Sequence, residues 1–219
     1  MSAHQFQTER AAVVDICLRL ADAGFLAGTG GNVALRVDAE HFAVTPSAAD
    51  YYAMTPAQIA VLRLDSLAQV AGDLPPSVES GLHAILLRAR PARPASVHTH
   101  QPIASAVALT GLALPLRDPA DIADLGPCVE RVGYGPSGTA LLVRALRKRL
   151  RADTHAYVLR NHGLICNAVS LAEAARLLGR IERAAAAWLL EQGREHAPDH
   201  PLRRIVQREL EPLISPNTD

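Results

Sequence analysis

The sequence predicts an α/β protein. Three observations lead there: a length that supports one sizeable core, segments of helical period alternating with short β-type runs, and glycine- and proline-rich turns between them. A chain of 219 residues can bury a core without disulfides or a structural metal, as one domain or, less simply, as two small ones. We expect one domain, with its core over about residues 8–192 and a tail over 193–219.

Ala12, Val13, Ile16, Cys17 and Leu20 recur at helical spacing after Thr8, and Gly24 stops them, so the chain opens with a helix. The glycine-rich turn Gly28-Thr29-Gly30-Gly31 leads into a hairpin over residues 32–37 and 41–44, joined by Asp38-Ala39-Glu40. Thr55-Pro56 opens a short helix before a strand at 61–64. Ser77 reads as the N-cap of a helix over 78–90, which places Glu79 in the first turn, where a carboxylate is favoured. Residues 96–99, between Pro94 and Pro102, read as a strand that is followed by a helix over 102–109. Proline, glycine and aspartate scattered over 111–127 mark a long loop with one helical turn at most. After Gly138 come a basic helix to about residue 151, strands at 156–159 and 164–166 about the turn Arg160-Asn161-His162-Gly163, and a long helix to about residue 191 opened by the capping pair Ser170 and Glu173. The His-, Arg- and Pro-rich tail supports a short terminal helix.

Lys+Arg and Asp+Glu are both 22, so no overall field argues for nucleic acid or a membrane surface, and a small-molecule partner is the default. Met1 to Arg10 lack the pattern of an export signal, and the longest apolar run, 184–190, is too short to cross a bilayer. A cytoplasmic protein is expected. Cys17, Cys128 and Cys166 are odd in number and lack Cys-x-x-Cys spacing, which suits a reducing compartment and argues against thiolate metal ligation.

Side chains alternate along a strand, so His98 and His100 point the same way and can grip one ion, although such a pair also occurs as hydrogen-bonded core or surface histidines. His162, in a tight turn after a second strand, is the candidate third ligand of a catalytic divalent site, Zn²⁺ or another divalent metal. Glu79 is the candidate base, the alternative being a first-turn glutamate that only matches the helix dipole. His83, one turn later, either orients Glu79 or packs beneath it. Backbone N–H groups around Gly31 and Ser77 can hold a phosphate, while a Walker lysine and a Gly-x-Gly-x-x-Gly turn are both missing, which argues against nucleotide binding.

Five motifs then fall in register: Gly28-Thr29-Gly30-Gly31-Asn32-Val33, Thr45-Pro46-Ser47, Pro76-Ser77-Val78-Glu79, Val97-His98-Thr99-His100 and Asn161-His162-Gly163-Leu164. Together they resemble the class II aldolase/adducin family over roughly residues 10–190. The resemblance implies a three-layer α/β/α fold with a mostly antiparallel sheet, and a homotetramer with active sites at subunit interfaces. It implies that His98, His100 and His162 hold zinc, that Glu79 is the acid/base, and that a metal-stabilised enediolate of a small ketose phosphate is the intermediate. Aldol cleavage is the simplest outcome; dehydration, epimerisation and decarboxylation share that intermediate, and adducin-like modules keep the fold without chemistry. The family's phosphate-binding positions read Gly31-Asn32, Ser47-Ala48 and Ser77-Val78 here, so Ala48 and Val78 depart from the pattern. The position of a proton-donating tyrosine reads Pro119, and no tyrosine lies between His100 and Tyr134. Tyr51 and Tyr52 either shape specificity or simply pack.

Overall fold

The computed structural model describes residues 6–26, 28–195 and 201–214, so the expectations for residues 1–5 and for tail residues 196–200 and 215–219 lie outside the described residues. Helix α1 (Gln7–Asp22) is followed by strands β1 (Asn32–Arg36) and β2 (His41–Val44), a 3₁₀ turn (Pro56–Gln58), β3 (Ala60–Arg63) and β4 (Gln69–Ala71). Then come α2 (Ser80–Ala89), β5 (Ala95–Thr99), α3 (Pro102–Thr110), β6 (Leu114–Pro115), α4 (Pro119–Leu125) and β7 (Cys128–Val132). The chain continues through α5 (Ala140–Arg147), β8 (Ala156–Leu159), β9 (Gly163–Ala168), α6 (Leu171–Arg194) and α7 (Pro201–Ile214).

The strands form one sheet in the order β4-β3-β2-β1-β5-β9-β8-β7-β6. All neighbours are antiparallel except β7 and β8, so the sheet is mixed but mostly antiparallel, as expected. Period-2 alternation sorts its side chains into two cores. Val33, Ala43, Val97, Val158 and Cys166 face α1, α3 and α6, while Ala34, Phe42, Leu62, Tyr157 and Ile165 face the other way, under α2 and α5. This gives the three layers. All three cysteines are free thiols, and among the described residues no helix is long and apolar enough to cross a membrane.

The structure corrects several boundaries. Helix α2 begins at Ser80, and Glu79 is its N-cap (φ −97°, ψ 9°) instead of a first-turn residue. The cause is local: Ser77 Oγ accepts the Glu79 N–H and the Ser80 hydroxyl donates to the Ser77 carbonyl, closing a turn before the helix starts. Helix α5 stops at Arg147, because Arg149 N–H bonds to Leu146 three residues back and tightens the chain out of the helix. The long loop holds β6 and a two-turn α4, whose Asp118 side chain accepts from Ala120 and Asp121 N–H. Strands β4 and β7 were not expected; in β7 only Val129 and Val132 are fully buried, too few to mark a strand, and pairing with β8 and β6 defines it.

Candidate active site

Strand β5 lies between β1 and β9, and the register sets Asn32 and Ile165 on either side of His98. Ser96 and His98 share the sheet face that α2 covers, and both are fully buried. Thr99 ends the strand, so His100 lies one residue past it, yet its ring meets His98 edge-on with centroids 4.8 Å apart. His162 arrives from the β8–β9 turn, where Asn161 takes φ 56°, and its ring is 4.7 Å from that of His98 and 5.1 Å from that of His100. The turn can close this tightly because residue 163 is glycine. A Cβ there would stand 2.5 Å from the Thr99 carbonyl oxygen and 2.7 Å from His100 Cδ2. Behind His100, the Glu182 carboxylate of α6 accepts from Ile103 N–H (2.7 Å) and Ala104 N–H (2.9 Å), pinning the start of α3.

Glu79 reaches the same point. Its Oε2 is 3.3 Å from His98 Nε2 and its Oε1 3.3 Å from His162 Nε2. Asn32 Nδ2 donates to Oε2 at 2.8 Å and the Ser137 hydroxyl to Oε1 at 2.9 Å. Burial works against the carboxylate, but His98, Asn32, His162 and Ser137 outweigh it and hold Glu79 below the ordinary glutamate range. Burial pushes His98 down to about 3 against the pull of Glu79, and burial together with His162 pushes His100 down.

These groups fit a divalent cation. His98 Nδ1 lies 2.8 Å from the Leu164 carbonyl, which can only accept, so the proton is on Nδ1 and the Nε2 lone pair faces the cluster. That lone pair meets Glu79 Oε2 at 3.3 Å and His100 Nε2 at 3.0 Å, a convergence of electron-rich atoms that a cation satisfies. One ligand atom from each of the three histidines lies within 4.8 Å of the others, and they are the group of this kind found among the described residues. His162 Nδ1 is buried with no hydrogen-bond partner among the described residues.

A cavity of about 230 Å³ opens beside this cluster, and Gly31, Ser47, Ala48, Ser77, Glu79, His100, Ser137 and His162 line it. Gly31, Ser47, Ala48 and Ser77 are thus brought to the carboxylate. Gly31 takes φ 85°, and a Cβ there would stand 2.8 Å from the His98 carbonyl oxygen. Ala48, one of the two departures from the family pattern, holds the left-handed conformation, φ 53°. Ala48→Gly should therefore stabilise the protein by about 1 kcal/mol, since L-residues pay roughly 1–2 kcal/mol there and glycine returns part of it as unfolded-chain entropy. Urea unfolding checks this; an equal or lower midpoint would show that the loop is unstrained.

Asn32 lies beneath the cavity instead of lining it, and His83 lies beneath it as expected. Asn32, expected at the phosphate, has its side chain between Glu79 and His83, with Oδ1 2.6 Å from His83 Nε2. His83 is fully buried and meets Glu79 only through Asn32. Tyr51 is buried and donates to the Gly31 carbonyl at 2.6 Å, pinning the glycine turn, whereas Tyr52 is 68% exposed. Val78 lines the cavity while largely exposed, and Pro119 opens α4 on the surface. Ser137 was missed: Pro136-Ser137-Gly138-Thr139 signals a turn and a helix start, but nothing in it says that the turn folds over Glu79. A larger cavity of about 380 Å³ between α4 and α6, beside Arg117, Trp188 and Arg194, is remote from the histidines.

Comparison with known proteins identifies the family. The family described as Class II Aldolase and Adducin N-terminal domain matches residues 11–189. The 5-deoxy-D-ribulose 1-phosphate aldolase of Bacillus thuringiensis serovar kurstaki is 34% identical over 177 residues, covering 80% of this chain and 82% of that protein. The methylthioribulose-1-phosphate dehydratase of Serratia proteamaculans is 26% identical over 182 residues, covering 78% and 89%. Among solved structures, an L-fuculose 1-phosphate aldolase superposes with a TM-score of 0.79 at 24% identity, over 91% of this chain and 94% of that one, which is a likeness of fold.

Proposed function

Because the chain belongs to the class II aldolase and adducin N-terminal domain family, we propose that it is a divalent-metal-dependent carbon–carbon lyase acting on a small ketose phosphate or related hydroxy-ketone. One observation carries the reading: a single carboxylate, Glu79, stands 3.3 Å from ring nitrogens of both His98 and His162, beside His100. His98, His100 and His162 hold the ion, Zn²⁺ in the first instance, because three imidazoles with a position left open are a typical catalytic zinc donor set. A bound ion would supply Lewis-acid stabilisation of the negative charge that gathers on neighbouring substrate oxygens. Glu79, kept ionised and lining the cavity, takes a proton from the substrate and returns it. Gly31, Ser47, Ala48 and Ser77 line the same cavity, where backbone N–H and hydroxyl groups can hold a phosphate. The same reading makes the chain one domain of a cytoplasmic homotetramer with active sites at subunit interfaces.

A dehydratase is the second reading, favoured by Pro119 standing where family aldolases carry a tyrosine and by the relative named as a dehydratase. A screen of zinc-loaded enzyme against 5-deoxyribulose, 5-methylthioribulose and fuculose 1-phosphates, each with its unphosphorylated form, separates the two. Cleavage yields a three-carbon keto-phosphate and an aldehyde, whereas dehydration keeps every carbon and loses water. Release of the first pair is the expected result; turnover of none of these compounds would count against a ketose lyase.

A further inference from the structure

Four buried residues beside the site form one directed chain of hydrogen bonds. Asn32 Nδ2 lies 2.8 Å from Glu79 Oε2, Asn32 Oδ1 lies 2.6 Å from His83 Nε2, and His83 Nδ1 lies 2.7 Å from Ser96 Oγ. His83 and Ser96 are 0% exposed and Asn32 5%, so solvent does not compete for these bonds. Chemistry sets the polarity of each. A carboxylate only accepts, so Asn32 must offer Glu79 its amide N–H and turn its carbonyl to His83. That carbonyl only accepts, so His83 carries its proton on Nε2. Burial pushes the His83 pKa down to about 4, so the ring holds a single proton at pH 7, and Nδ1 accepts from the Ser96 hydroxyl. An Asn32 turned the other way would set its carbonyl oxygen against the Glu79 carboxylate.

The elements involved say what the chain accomplishes. Glu79 caps α2 and His83 lies one turn into it, whereas Asn32 stands on β1 opposite His98, and Ser96 stands on β5 two residues before His98. The carboxylate on the helix is therefore tied to the two strands that carry and flank a metal-site histidine. Neither His83 nor Asn32 lines the cavity, and the Asn32 amide spends one N–H on Glu79 and its carbonyl on His83.

We propose that His83 is a positioning residue: through Asn32 it fixes which way the Glu79 carboxylate faces. The proposal rests on the reading of Glu79 as the acid/base. Two measurements on the zinc-loaded full-length protein test it. Long-range ¹H–¹⁵N spectra should show His83 as the Nε2–H tautomer; an Nδ1–H tautomer reverses the chain and overturns the proposal without reference to activity. With 5-deoxyribulose 1-phosphate as probe, His83→Leu should lower kcat about 10- to 100-fold, the usual effect of losing such an outer partner, with KM within about twofold and the metal content unchanged. His83→Gln, whose side-chain amide can still donate to Asn32, should recover most of that loss. His83→Leu at the wild-type kcat, or His83→Gln as impaired as a folded leucine variant, overturns the positioning role. If the leucine variant does not fold, Asn32→Leu decides instead: it is close in size and has no group that can donate to Glu79, so a wild-type kcat there overturns the proposal. Glu79→Gln at full rate would sink the acid/base reading itself, while an inactive Glu79→Gln beside a fully active His83→Leu sinks only the positioning.

Discussion

His98→Ala should leave the protein without a stoichiometric divalent ion and without turnover. The ring is fully buried, its Nδ1 is locked on the Leu164 carbonyl, and its Nε2 lies closest to the other donors, 3.0 Å from His100 and 3.3 Å from Glu79. Removing it leaves two imidazoles, and a catalytic ion is ordinarily held by three protein ligands. The loss should exceed the roughly 10- to 100-fold that follows removal of an outer partner alone. Elemental analysis of protein never exposed to chelator or nickel resin, together with circular dichroism to establish folding, measures it. A folded variant that keeps one ion per chain and the wild-type rate would end the ligand assignment, and a metal-free wild type would bring forward an adducin-like module without chemistry.

Glu79→Gln should keep the metal and lose about 10²–10⁴ in kcat, the range for a general acid/base. The change is isosteric, so the cap of α2 and the cavity shape persist, but the amide cannot take a proton at neutral pH. It also turns an N–H₂ group toward Asn32 Nδ2 or the Ser137 hydroxyl, both of which donate to the native carboxylate. The two variants should therefore separate cleanly, one metal-free and one metal-loaded, both slow. A glutamine variant at the native rate removes Glu79 from the mechanism.

The cluster was legible because its signals are local. His98 and His100 stand at strand spacing, and His162 sits in a turn whose flanking strands are strongly apolar, so three histidines could be named before any fold was known. Most strands and long helices were equally readable from period and caps, with Ser170 accepting from the Glu173 N–H as its spacing implied. What escaped was tertiary. Asn32 was expected at the phosphate from the family pattern, whereas the β1–β5 register turns its side chain to Glu79 and His83. Ser137 comes from a loop 58 residues away from Glu79, beyond the reach of any local pattern. The start of α2 shifted by two residues because Ser77 and Ser80 bond their own neighbours more readily than they extend a helix.

The strand order gives the histidine cluster a second meaning. Strands β1–β4, all from the first third of the chain, lie on one side of β5, and β6–β9, all later in sequence, lie on the other. His98 and His100 sit on and just past that central seam, His162 belongs to the later block, and Asn32 to the earlier one. Neither block holds the site alone. An ion bound there recognises only the joined sheet, so its binding energy adds to the cooperativity of the whole fold instead of to one half. Partial opening at the seam would then release such an ion in the same event.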